Sequence, residues 1–138
     1  MDIKTTNTEN VATALSEYIA EACKAELPDG VIEKAKHHTL DTLAAAVSGS
    51  KLKPGELAIQ FVKTQEGARE SQVIGSSIIT SAINAAFANA MMAHADETDD
   101  THAGSLTHPG CAVVPAALAL AEKTGASGKE LLNGIVAG

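Results

Sequence analysis

Ten residues able to do chemistry fall between His94 and His108: His94, Asp96, Glu97, Asp99, Asp100, Thr101, His102, Ser105, Thr107 and His108. Three chemistries compete for them. The first is helix-end chemistry. His94 in a last helical turn complements the helix dipole, Asp99, Asp100 or Thr101 makes Asx-type turns, and Thr107 or His108 leads into the next helix. The second is a divalent-metal site, since carboxylates and imidazoles are suitable ligands. Its spacing is poor: the stretch has no HExxH helix, no EF-hand loop and no CxxC pair. The third is a cofactor-free acid/base site. Moving a proton beside a carboxylate needs a base that titrates near neutrality. Histidine supplies one, and neighbouring carboxylates fix its tautomer. His108, held before Pro109, has a well-defined backbone setting, and Thr101 and Ser105 can hydrogen-bond substrate oxygens. Spacing alone leaves the choice open, and no metal ligand is assigned.

The elements that must position this stretch read as helices. An apolar segment, IITSAINAAFANAMMAH, precedes it and predicts a central helix over Ile78 to His94. That helix is apolar on nearly every side, as buried helices are, with Asn84 and Asn89 as exceptions that need partners. Ser76, Ser77 or Thr80 is the expected cap. Pro109 opens a helix through Lys123, its proline suited to a first turn, and Gly125 ends it. Ser127 and Glu130 form a capping-box pattern for a last helix. Upstream, helical spacing predicts a helix from about Thr8 to Ala25, with Val11, Leu15, Tyr18 and Ile19 on one face. A second runs from Pro28–Asp29 to Gly49, its inner face Val31, Ile32, Ala35, Leu40, Leu43, Ala44 and Val47. A linker at Lys51 to Pro54 leads to a third over Gly55 to Lys63. His37 and His38 read as surface or packing residues. Gln72 to Gly75 is the one strand candidate. Residues 1–8 read as disordered. The apolar face of Leu131, Leu132, Ile135 and Val136 runs to Gly138 without a cap, so the chain reads as a fragment whose last helix exposes that face and favours self-association.

Composition agrees with an all-α, tightly packed domain. The 138 residues are 45% hydrophobic but only 2% aromatic, so Ala, Leu, Ile and Val must build the core. The net charge is -7, and no basic run grips a phosphate backbone, which argues against nucleic-acid binding. No Lys or Arg lies between Arg69 and Lys123, so the acidic stretch sits in a cation-free gap. Cys23 and Cys111 make no disulfide framework and are too few for an iron–sulfur cluster. No secretory signal is visible, and the longest apolar run is shorter than the roughly 20 residues a membrane helix needs. A cytoplasmic location is expected, with mitochondria the alternative for a eukaryotic source.

His94-Ala-Asp-Glu-Thr-Asp-Asp-Thr-His102, followed by Ser105-Leu-Thr-His-Pro-Gly110, resembles the signature of the MmgE/PrpD family. That family includes 2-methylcitrate dehydratase and cis-aconitate decarboxylase. Its pattern is an Ala-rich helix ending in His, an acidic residue two before Asp-Asp-Thr-His, and then a His-Pro pair. HTLDTLAAAVSG, QVIGS and AALALAEKTGASGKELLNGIVAG extend the resemblance over roughly Val31 to Gly138. The resemblance implies the N-terminal portion of a larger all-helical domain, closed over by a smaller α/β domain, in an enzyme that dimerises. By that resemblance Glu97, Thr101 and His108 match positions lining the active site, and His102 matches a frequent further one; catalysis is therefore expected of His108, Glu97 and Thr101, and substrate binding of His102, Asp100 and Ser105. The family often has Asp where Glu97 stands. The family's further histidine, lysines and tyrosine would lie beyond Gly138.

These readings converge on part of a cofactor-independent lyase acting on a small di- or tricarboxylate. Dehydration of a 2-methylcitrate-like acid leads, with cis-aconitate decarboxylation close behind and dicarboxylate epimerisation a further option. In this reading His108 is the general acid/base, Glu97 orients it or binds substrate, and Thr101 holds a substrate oxygen. Four carboxylates without a nearby Lys or Arg would repel such an anion. Cations must therefore come from elsewhere, and the 138 residues alone are expected to be inactive. The non-catalytic alternative is a helical module whose acidic loop binds a metal or only caps helices.

Overall fold

A computed structural model describes residues 8–22 and 26–138. Residues 1–7 and Cys23 lie outside the described residues. Among those described, six helices and a two-stranded ribbon follow in order. They are α1 (Thr8–Ala22), α2 (Asp29–Gly49), α3 (Lys53–Lys63), β1 (Ser71–Gln72), β2 (Ile79–Thr80), α4 (Ala82–Ala95), α5 (Pro109–Thr124) and α6 (Gly128–Ala137). The all-α expectation holds. The expected disorder over residues 1–8 is corrected at Thr8, which opens α1.

Helix α4 is the hub, packed against α2, α3 and α5. The core joins Ala46 of α2, Ala58 and Val62 of α3, Val73, and Ala85, Ala88, Met92 and Ala93 of α4. Most of these side chains are small, so backbones meet directly. A Cβ on Gly49 would stand 1.9 Å from the Met92 carbonyl oxygen, and one on Gly55 would stand 2.1 Å from that of Gly49. Met92 is fully buried at this crossing, worth about 1.5–3 kcal/mol in removed apolar surface.

This close packing corrects two expected faces. The buried stripe of α2 is Ala35, Thr42, Ala45, Ala46 and Gly49, while Leu40 and Val47 face outward. Thr42 tolerates burial because its hydroxyl donates to the His38 carbonyl at 3.0 Å. Nor is α4 apolar and buried all round: Ile83 is 82% exposed, and Phe87 and Met91 also face outward. Phe87 meets Phe61 of α3 edge-on, with ring centroids 5.6 Å apart.

The central helix begins later than its apolar run. Ile79 and Thr80 pair antiparallel with Gln72 and Ser71, which shortens and shifts the expected strand. Ser81 is the N-cap, its hydroxyl accepting from the Asn84 amide at 3.4 Å. The ribbon is tied to α4 by Asn89, wholly buried, whose Oδ1 accepts from the Ile74 amide at 2.9 Å and whose amide donates to the Gln72 carbonyl at 3.0 Å. Helix α3 starts at Lys53, with Pro54 inside its first turn. Pro115 is accommodated inside α5, and Gly125 ends that helix in the left-handed conformation at φ 68°. The Ser127–Glu130 capping box is present as expected. The face of α6 is half-covered rather than open, because α6 packs against α5 and α2. It is α1 that leaves Val11, Leu15, Tyr18 and Ile19 exposed.

Candidate active site

Helix α4 ends at Ala95 with His94 in its last turn, and α5 begins at Pro109 directly after His108. The chain between them, 96–108, is a loop returning to the same end of the bundle. Two of its residues take the left-handed region without being glycine, Glu97 at φ 53° and Leu106 at φ 54°. Each such conformation costs on the order of 1–3 kcal/mol, and such residues cluster at functional sites.

The loop folds around one carboxylate. Asp99 has a fully buried side chain that lies between two histidines. Its Oδ2 is 3.2 Å from His94 Nδ1, and its Oδ1 is 3.5 Å from His108 Nδ1. The two imidazoles are 5.2 Å apart at their centroids. His108 Nδ1 also lies 2.9 Å from the Asp100 carbonyl oxygen and 3.5 Å from the Thr101 hydroxyl. A ring nitrogen facing a carbonyl must carry the proton, so Nδ1–H donates to Asp100 and Nε2 is left as the basic nitrogen. Asp100 points its side chain the other way, where Oδ1 accepts from the Gly110 amide at 2.9 Å. That contact satisfies an orphan donor in the first turn of α5. A Cβ at Gly110 would stand 2.5 Å from that oxygen and 2.7 Å from the Thr42 hydroxyl, so only glycine lets loop, α5 and α2 meet here.

The remaining predicted residues divide. Thr101 joins His108, whereas Glu97 is largely exposed and faces His94 Nε2 at 4.0 Å rather than His108. His102, Ser105 and Thr107 form a separate exposed network. His102 Nδ1 is 2.7 Å from the Ser105 hydroxyl, which is 2.8 Å from that of Thr107. The His102 amide donates to the Thr107 carbonyl at 2.9 Å, closing the turn.

Cys111, one turn into α5, completes the buried side of the cluster. Its thiol lies 3.1 Å from the His108 carbonyl oxygen. Burial pushes the thiol up to about 11, helped by hydrogen bonding to Asp99 and by the negative charges of Asp99 and Asp100. His94, Asp99 and Cys111 together present N, O and S atoms within 4.8 Å of one another, a set able to hold a metal ion.

Beside the loop opens a cleft of about 400 Å³. Thr101, His102 and Gly110 line it from the loop side, and Lys34 and His38 line it from α2. Lys34 brings an ammonium group, which the loop itself lacks. The sequence reads His38 as a surface or packing residue, and it is exposed at the rim of this cleft; Asp99 it assigns no role beyond a turn. The visible signal for Asp99 was its place in the Asp-Asp-Thr-His run.

Known proteins match over this region. The cis-aconitate decarboxylase-like protein oryM of Aspergillus oryzae is 29% identical over 136 residues, covering 94% of this chain and 28% of that protein. Cis-aconitate decarboxylase of Aspergillus terreus is 27% identical over 121 residues, covering 88% of this chain and 25% of the relative. The human enzyme of that name is 37% identical over 97 residues, covering 70% and 20%. The chain thus spans only a quarter or so of the length of these relatives. No solved structure gives a significant match. No helix among the described residues is long and apolar enough to cross a membrane. Residues 13–138 match the MmgE/PrpD N-terminal domain, and with the helical hub and the His-Pro loop in place, the chain belongs to the MmgE/PrpD family.

Proposed function

We propose that this chain supplies an acid/base centre to a cofactor-independent lyase acting on a small di- or tricarboxylate. The observation that carries the reading is the buried Asp99 carboxylate set between His94 and His108. Asp99 and the Asp100 carbonyl hold His108 by one nitrogen, leaving Nε2 to exchange a proton with substrate. A pre-oriented base of this kind contributes about 10²–10⁴-fold to a proton transfer. Thr101, which lines the cleft and lies 3.5 Å from His108 Nδ1 behind it, would hold a substrate oxygen, and His102, Asp100 and Ser105 are the further substrate-binding candidates. Lys34 would offset the charge of a bound carboxylate across the cleft, and His38 would offer it a hydrogen bond. Glu97 serves substrate or His94 rather than orienting His108.

Both candidate reactions pass through a carboxylate-stabilised carbanion or enolate. Decarboxylation breaks a C–C bond, and the acid returns a proton to carbon. Dehydration of a 2-methylcitrate-like acid removes a proton from carbon, and hydroxide leaves as water. The relatives that match are named for cis-aconitate decarboxylation, and this favours decarboxylation over dehydration. The homodimer expected of the family finds support in the exposed apolar face of Leu57, Phe61, Phe87 and Met91 between α3 and α4.

The test uses the full-length enzyme with cis-aconitate and 2-methylcitrate, following CO2 and double-bond formation separately. His108→Ala is expected to lower kcat by about 10²–10⁴-fold. Full activity in that variant would sink the role of His108. Turnover of neither acid by the intact enzyme would sink the substrate class.

A further inference from the structure

The geometry points to a second use of the Asp99 cluster: His94, Asp99 and Cys111 form a binding site for one thiophilic divalent cation of the zinc class. Three observations support it. The imidazole, carboxylate and thiol atoms lie within 4.8 Å of one another. Zinc bonds of about 2.0–2.3 Å place tetrahedral ligands roughly 3.3–3.8 Å apart, so a contraction of about 1 Å closes the site. His94 Nδ1 already stands 3.2 Å from Asp99 Oδ2, so the contraction is toward the thiol, and the half-exposed His94 side chain can adjust to it while that of Asp99 stays fixed and buried. The second observation is an orphaned oxygen. Asp99 Oδ1 is fully buried and makes no hydrogen bond. The imidazole that faces it, His108 Nδ1 at 3.5 Å, is turned to the Asp100 carbonyl at 2.9 Å. Buried carboxylate oxygens are ordinarily satisfied, and a cation meets that requirement directly. The third is the field: Asp96, Glu97, Asp99 and Asp100 lie in a stretch without Lys or Arg from residue 70 to 122.

The ligand set decides the class of ion. Mg²⁺ and Ca²⁺ take oxygen donors, whereas thiolate and imidazole select zinc and its neighbours. Three protein ligands leave the fourth position of a tetrahedral ion for water. Spacing in the sequence argued against a metal because it considered the loop alone, and the thiol enters from α5. Occupancy would withdraw Asp99 from His108 and so oppose acid/base chemistry. That consequence rests on the function proposed above, but the binding does not.

The experiment is titration of the purified full chain with Zn²⁺ and with Mg²⁺ by calorimetry, with Co²⁺ absorbance as the spectroscopic readout. One Zn²⁺ per chain at micromolar or tighter affinity is expected, with no Mg²⁺ binding and a thiolate-to-Co²⁺ charge-transfer band. Cys111→Ser, nearly isosteric, should abolish that band and weaken Zn²⁺ by more than about tenfold, the loss that even an outer hydrogen-bonding partner's removal brings. Asp99→Asn, with its fold checked by circular dichroism, should weaken it as much, and Cys23→Ser should change nothing. Zn²⁺ binding that survives Cys111→Ser, that is lost in Cys23→Ser, or that never reaches one per chain overturns the site. None of these readouts depends on enzyme activity, so the site and the lyase reading fail separately.

Discussion

Gly49→Ala should destabilise the protein, although alanine is the better helix former. The added Cβ would lie 1.9 Å from the Met92 carbonyl oxygen and 3.3 Å from the Ala95 Cβ. A non-bonded carbon contact of about 3.5 Å would require the α2–α4 crossing to open by roughly 1.5 Å. The obstacle is backbone in the last turn of α4, so no rotamer change relieves it. Overpacking of this kind costs about 1–3 kcal/mol, and a fixed backbone obstacle puts this site at the upper end. The propensity gain from glycine to alanine returns at most about 1 kcal/mol. The net loss is therefore about 2 kcal/mol, or roughly 8 °C in Tm for a chain of this length. Gly134→Ala is the matched control. Its Cβ would meet only the Ala117 Cβ, at an ordinary 3.9 Å. That variant should gain about 0.5–1 kcal/mol. Urea denaturation of both, followed by circular dichroism, reads the two signs. A Gly49→Ala variant as stable as the parent would refute the claim that backbone contact sets the α2–α4 distance. The same displacement would carry the end of α4, and with it His94, away from Asp99.

Two further perturbations test the supports of the loop and ribbon. Asn89→Leu leaves the Ile74 amide and the Gln72 carbonyl without their buried partner; at about 1–3 kcal/mol for each group, a loss of roughly 2–6 kcal/mol is expected in urea denaturation. Glu70 accepts from the Ala82 amide at 3.1 Å and pairs with Lys123 at 3.2 Å, and these contacts, the amide first, hold its carboxyl below the ordinary 4.5. A lowered folded-state pKa stabilises above the unfolded value and loses that stability as pH falls through the folded one, so the advantage of the parent over Glu70→Gln should be full at neutral pH and shrink below 4.5; an advantage unchanged in acid would show that the carboxylate charge contributes nothing.

What the sequence made legible follows from which physical signals are local. The capping box at Ser127 and the stop at Gly125 depend on a few adjacent residues, and both stand where expected. The inner face of α2 did not, because the apolar pattern was weighted by side-chain size. Leu40 and Val47 looked like core, yet the contact that forms selects Ala35, Ala45, Ala46 and Gly49. Close backbone approach favours the smallest residues, and that preference depends on a partner helix that the α2 sequence does not contain. The start of α4 was misplaced for a related reason. Ile78, Ile79 and Thr80 extend a run that is helical by pattern, but β-branched residues also suit a strand, and the pairing with Ser71 and Gln72 takes Ile79 and Thr80.

The candidate site divides along the same line. Residue types alone marked the loop, and the Asp-Asp-Thr-His run marked its family, but four carboxylates within five positions looked interchangeable. Packing makes them different. Glu97 remains in water, Asp100 is taken by the Gly110 amide, and Asp99 alone has a side chain fully removed from solvent. A carboxylate's influence on a neighbouring imidazole grows as water is excluded, so the one that matters is the one the fold buries. Beside it, Gly110 meets both the Asp100 carboxylate and Thr42, which lies on a helix almost seventy residues earlier. Lys34 and His38 reach the cleft from that same helix. The wall of the cleft opposite the loop is thus a product of the α2–α5 contact, which no window around the loop could display.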